Sequence, residues 1–72
     1  MTELDTRLFR KWLVDRGIGS STRVSSRAYR AYEVGAVTPD MVEKCFPNAA
    51  SNYKKDLRNA VRWANTYEGC VL

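Results

Sequence analysis

Arg23, Arg27 and Arg30 recur at four- and three-residue spacing in the stretch "SSTRVSSRAYRAYE", residues Ser20–Glu33. Lys54, Lys55, Arg58 and Arg62 form a second basic set further along the chain. A guanidinium stays charged and offers a planar fork of donors that matches phosphate or carboxylate oxygens. On a duplex, such side chains release condensed counterions and can supply most of the non-specific affinity. The hydroxyls of Ser20, Ser21 and Thr22 lie at the start of the first basic stretch. At a helix N-terminus they would stand beside free backbone amides, which already favour a phosphate. The chemistry these residues suggest is oxyanion contact. The plain alternative is a solvated helix face, the usual fate of charge on helices.

Other chemistries find little support. The chain has no histidine, so the commonest general base and metal ligand is missing. Glu3, Asp5, Asp15, Glu33, Asp40, Glu43, Asp56 and Glu68 are scattered and read as cap or surface charges. The serines lack a nucleophile elbow or a paired base, and "RGIGSST" has neither the length nor the lysine of a phosphate loop. Cys45 and Cys70 have no CxxC spacing, which argues against zinc; a single Cys45–Cys70 disulfide is open on spacing alone. The expectation is a protein that is not an enzyme and uses no cofactor or metal.

Four helices must position these groups. The first is predicted over Glu3 to Arg16, capped by Thr2, with Leu4, Leu8 and Trp12 as a stripe that Phe9 and Leu13 widen. Gly17 is expected to end it, with Ile18 packing back. The second starts after Ser20, Ser21 or Thr22 and runs to Val34, with Gly35 ending it. The third begins at "TPDM", where Thr38 caps and Pro39 takes the first helical position; Pro47 stops it just beyond Phe46. Met41, Val42, Cys45 and Phe46 form its buried side. The fourth extends from Ala49 or Ala50 to Tyr67, with Asn48 as cap and Gly69 as terminator. Its core stripe is Ala50, Tyr53, Leu57, Ala60, Val61 and Ala64. No run alternates apolar and polar residues long enough for a strand. The fold class expected is all-α, a small bundle of four helices in one domain.

On a helical wheel Arg23, Arg27 and Arg30 fall within about 60° of one another and flank the apolar side of their helix. Lys54, Arg58 and Arg62 share a face of the fourth helix, with Lys55 beside it. Neither stripe contains an acid of its own helix. Trp12 continues the apolar stripe of the first helix. Trp63 lies beside the core stripe and fits either a core edge or a half-exposed anchor. Tyr29 falls outside the core stripe.

The order of these features resembles the N-terminal core-binding domain of tyrosine recombinases, the phage-integrase and Xer-like family. Its first-helix pattern F-x-x-W/Y-L is matched by Phe9, Trp12 and Leu13. Its hydroxyl-capped S-x-x-T-x-x-x-Y helix is matched by Thr22, Ser25 and Tyr29. Its Y-x-x-x-L-R-x-F-x-x-W helix is matched by Tyr53, Leu57, Arg58 and Trp63, with Ala60 in the place of the aromatic. The likeness runs from Leu8 to Gly69. It implies a SAM-like domain that clamps duplex DNA in recombination or integration, with Thr22, Ser25 and Arg58 facing the DNA. The basic stripes extend that set to Ser20, Ser21, Arg23, Arg27, Arg30, Lys54, Lys55 and Arg62. The family's catalytic domain has no counterpart here, so a piece of a larger integrase and a stand-alone protein are both open.

The chain has 72 residues and a formal charge of +4, which suits one small domain with an acidic partner. The partner expected is double-stranded DNA, alongside a recombinase catalytic domain or another protein. The competing reading is a small phage or mobile-element protein that inhibits a host nucleic-acid enzyme by meeting an acidic protein groove. No stretch reads as a signal peptide or membrane span, so a cytoplasmic location with reduced thiols is expected.

Overall fold

Glycines with positive φ close the first two helices. Gly17 has φ 77° and Gly35 has φ 89°, a region that side chains bearing a Cβ rarely enter. The amide of Gly17 donates to the Val14 carbonyl and that of Ile18 to the Leu13 carbonyl (2.9 and 3.0 Å). Gly35 and Ala36 repeat the pattern onto Tyr32 and Ala31 (3.0 and 2.9 Å). Both ends are therefore Schellman motifs, with an apolar residue just past the glycine that turns back to the core. Ala36 is fully buried there and Ile18 packs on the core edge.

The structure is a computed structural model and describes residues 4–71, with side chains through Gly69. The described residues form four helices and no strand: α1 Thr6–Asp15, α2 Ser21–Glu33, α3 Pro39–Cys45 and α4 Ser51–Val71. This is the all-α bundle expected. Among the described residues no helix is long and apolar enough to cross a membrane.

Several boundaries differ from the sequence reading. Asp5 caps α1, its carboxylate accepting from the amides of Arg7 and Leu8 (both 3.1 Å). Thr2 and Glu3 lie outside the described residues. With the helix starting one turn later, Leu4 stands before the cap and is not one helical turn below Leu8. Leu4 and Phe9 instead occupy the two positions of a hydrophobic staple, and both are buried. Phe9 and Leu13 form the core side of α1, while Leu8 is 54% exposed. In α4 the amide of Lys54 donates to the Ala50 carbonyl (2.9 Å), so the helix starts where expected but with Ala50 rather than Asn48 at the cap position, and Ala50 is exposed instead of in the core stripe. The helix does not stop at Gly69 but continues to Val71.

The core is assembled mainly from α2 and α4, the most extensive pairing in the bundle. Ala28 and Ala31 of α2 and Ala60 and Ala64 of α4 are fully buried, as are Leu57, Val61, Phe9, Leu13 and Val42. Alanines at these positions let the two backbones come close. Contacts advance in the same direction along both helices. Arg27 meets Asp56 and Tyr53 near the start of α4, and Tyr32 meets Asn65 and Glu68 near its end.

That second contact is a clasp. The Tyr32 hydroxyl donates to Glu68 Oε1 (2.6 Å) and accepts from Asn65 Nδ2 (2.9 Å), which also donates to the Val37 carbonyl (2.9 Å). Burial, and the Glu68 carboxylate after it, push the Tyr32 phenol well above its usual pKa. Cys45 is a free thiol directed at the Val34 carbonyl (3.7 Å). The Cys70 side chain lies outside those described.

Candidate nucleic-acid interface

The basic stripe of α2 begins at an open helix start. Ser20 occupies the N-cap position, yet no side-chain oxygen bonds the first-turn amides, and no acid lies in that turn. Those amides point outward by the geometry of any helix N-terminus. Ser20, Thr22, Arg23 and Arg30 are exposed. Among the described residues, neither Arg23 nor Arg30 has an ionic partner.

Arg27 behaves differently from its two neighbours. Its guanidinium lies 5.2 Å from the Tyr53 ring centroid and its Nε is 3.8 Å from Asp56 Oδ2. That Nε is buried without a hydrogen-bond partner. Tyr53 thus supports Arg27 from α4 through a cation–π contact.

Two hydroxyls of the expected set are turned inward. Ser21 is 8% exposed and Ser25 only 4%, and the Ser25 hydroxyl donates to the Thr22 carbonyl (3.0 Å). The reason is spacing: Ser21, Ser25, Ala28 and Tyr32 follow at four, three and four residues along one buried side of α2. Small residues there admit the neighbouring helix.

The α4 stripe is divided as well. Lys54 is expected to be free of acids, but its ammonium lies 3.0 Å from Glu43 Oε2 and donates to the Pro47 carbonyl (3.2 Å). The acid comes from α3, which a wheel of α4 alone does not display. Lys54 therefore fastens the end of α3 to the start of α4. Arg58 is half-buried, whereas Lys55 and Arg62 are exposed. Lys54, Lys55, Arg58 and Arg62 lie about 100–160° round the helix from Asp56, the residue that meets Arg27. The two basic stripes thus open on different sides of α4.

What α2 does gain as a neighbour is α1. A groove of about 350 Å³ runs between these helices, lined by Thr6, Arg7 and Arg10 of α1 and by Ser25, Ser26 and Tyr29 of α2. Arg7 and Arg10 were not singled out by the sequence reading. Their three-residue spacing on the side away from Phe9 and Leu13 was the available signal, but α1 alone gave no hint that it would lie along the exposed face of α2. Tyr29 is 49% exposed, as its place outside the core stripe predicts.

The aromatic question is settled by packing. Trp63 meets Trp12 edge-on (6.0 Å between centroids), Trp12 meets Tyr67 (5.4 Å) and Tyr67 meets Phe9 (5.3 Å). Arg16 covers the Trp12 ring at 4.6 Å. Trp63 thus closes the α1–α4 edge of the core while half-buried, and Trp12 is half-buried with it. Among the described residues no three cysteine, aspartate or glutamate side chains gather closely enough to hold a metal ion.

Comparisons with protein-family models, with curated proteins and with solved structures give no match for this chain.

Proposed function

We propose that this chain is a non-catalytic DNA-binding module that holds duplex phosphates through α2, in the manner the likeness to a recombinase core-binding domain implies. The observation that carries the reading is the exposed pair Arg23 and Arg30 of α2, both unpaired among the described residues, with Arg23 beside an uncapped helix start. The unpaired Arg23 guanidinium beside the free amides forms a surface complementary to an oxyanion, and Arg30 extends it toward the far end of the helix. Lys55, Arg58 and Arg62 add to the positive field from a second side of the bundle and steer a polyanion toward it. On this reading the chain is a SAM-like domain serving DNA recombination or integration in the cytoplasm, with a recombinase catalytic domain as its protein partner.

The test is fluorescence anisotropy with a random-sequence duplex at two salt concentrations. With about five phosphates neutralised, affinity falls roughly 500-fold between 50 and 200 mM salt. The double variant R23Q/R30Q lowers the slope of log affinity against log salt by about 2. Affinity that is flat in salt, or a double variant that binds like the parent, refutes the reading. Binding to an acidic protein surface with no binding to duplex would favour the inhibitor reading instead.

A further inference from the structure

We propose that the groove between α1 and α2 is a phosphate site, with Arg7 and Arg10 as its charged donors and Tyr29 as the apolar wall beside it. Assigning that phosphate to a nucleic-acid backbone rests on the DNA reading; the groove's affinity for the oxyanion does not.

Five features of the groove point to a phosphate. Arg7 and Arg10 stand one helical turn apart on the same wall. Two neighbouring guanidinium groups repel each other unless an anion lies between them. Among the described residues no carboxylate pairs with either. The nearest acid in the sequence, Asp5, is occupied by the amides of Arg7 and Leu8. That cap also takes the Arg7 and Leu8 amides out of contention, so recognition falls mainly to side chains.

The opposite wall supplies hydroxyls. The Ser25 proton goes to the Thr22 carbonyl, so Ser25 forms the floor and donates nothing to a ligand. The hydroxyls of Thr6 and Ser26 have no hydrogen-bond partner among the described residues and are free to donate. The cavity of about 350 Å³ corresponds to roughly a dozen water volumes. That is room for a phosphate together with its sugar, which would rest on the Tyr29 ring. Ser26 lies about 40° from Arg30 and about 60° from Arg23 on the wheel of α2. The groove therefore opens onto the same face as the α2 arginines, and a backbone crossing α2 would reach both.

The test is amide chemical-shift mapping of the full chain with a 12-base-pair duplex and, separately, with inorganic phosphate against chloride at equal ionic strength. The amides of Thr6, Ser25, Ser26 and Tyr29 are expected to shift with the duplex. In R7Q/R10Q those shifts disappear, and affinity falls by about threefold to tenfold. The salt slope drops by about 1, the value for one lost phosphate contact. Both substituted side chains are exposed, so the fold is retained. Shifts in the groove with inorganic phosphate but no duplex binding would uphold the site and overturn the DNA reading. Duplex binding that shifts the start of α2 and leaves the groove silent would overturn the site and uphold the DNA reading. A groove silent to both probes, or shifts that persist in R7Q/R10Q, would also overturn the site.

Discussion

Replacing Tyr32 by Phe removes one oxygen from the clasp between α2 and α4 and leaves the buried ring in place. Two hydrogen bonds are lost. The bond to the Glu68 carboxylate, at 2.6 Å, is the stronger; bonds to charged groups contribute about 1.5–3 kcal/mol. Glu68 is half-buried and turns to water when released, which puts this loss at the low end. The bond from Asn65 costs less, because Asn65 keeps the Val37 carbonyl as an acceptor. A net destabilisation of about 2 kcal/mol follows. In a domain of this size that lowers Tm by roughly 8–16 °C.

The pH dependence identifies the cause. Burial and the Glu68 carboxylate raise the Tyr32 pKa in the folded protein, while the unfolded chain titrates near about 10. The stabilisation is fully present below that pH. It is lost above it, as the unfolded state sheds a proton that the folded state retains, by about 1.4 kcal/mol per pH unit. Phe at this position has no such proton. Urea unfolding of both proteins from pH 7 to pH 11 should therefore show a gap that is constant up to about pH 9 and narrows by about 1.4 kcal/mol at pH 11. A gap that stays constant to pH 11, or a variant within about 0.5 kcal/mol of the parent at pH 7, would refute the reasoning.

Other consequences are simpler to check. An added Cβ at Gly35 meets no atom within 4 Å, so Gly35→Ala isolates the cost of positive φ, about 1–2 kcal/mol by urea unfolding. A D-alanine at the same position should restore most of that loss. Lys54→Met breaks the tie to Glu43 and Pro47 and should cost about 1 kcal/mol. It should leave the salt slope of duplex binding unchanged, whereas a slope lower by about 1 would mean that Lys54 contacts phosphate after all.

The helix count and the glycine ends of α1 and α2 were legible because they depend on local rules. Gly17 and Gly35 each sit three or four residues beyond the last buried apolar residue of their helix, Leu13 and Tyr32, and just before an apolar residue, which is the Schellman pattern. Gly69 shares the residue type but not that setting. The residue before it, Glu68, bonds to Tyr32, 36 positions earlier, and no local reading contains that bond. The start and core side of α1 failed for a related reason: Asp5 serves as the cap, and packing against α2 and α4 buries Phe9 and leaves Leu8 exposed. At the candidate site the exposed arginines of α2 were visible in the spacing. The burial of Ser21 and Ser25, the capture of Lys54 by α3 and the approach of Arg7 and Arg10 were not. Each depends on which helix becomes a neighbour, a property of the assembled bundle.

The alanines at the seam of α2 and α4 bear on how such a surface would bind. Alanine has no rotamers to freeze, and these four are fully buried, so this seam adds no side-chain ordering cost to association. Ordering on association then falls on the arginine side chains alone, at about 0.5–1.5 kcal/mol each. A platform of this kind is modular. On the DNA reading, Arg23 and Arg30 could be exchanged to tune affinity step by step without touching the inner face of the helix, whereas Arg27 could not, because it also packs on Tyr53 and Asp56 of α4.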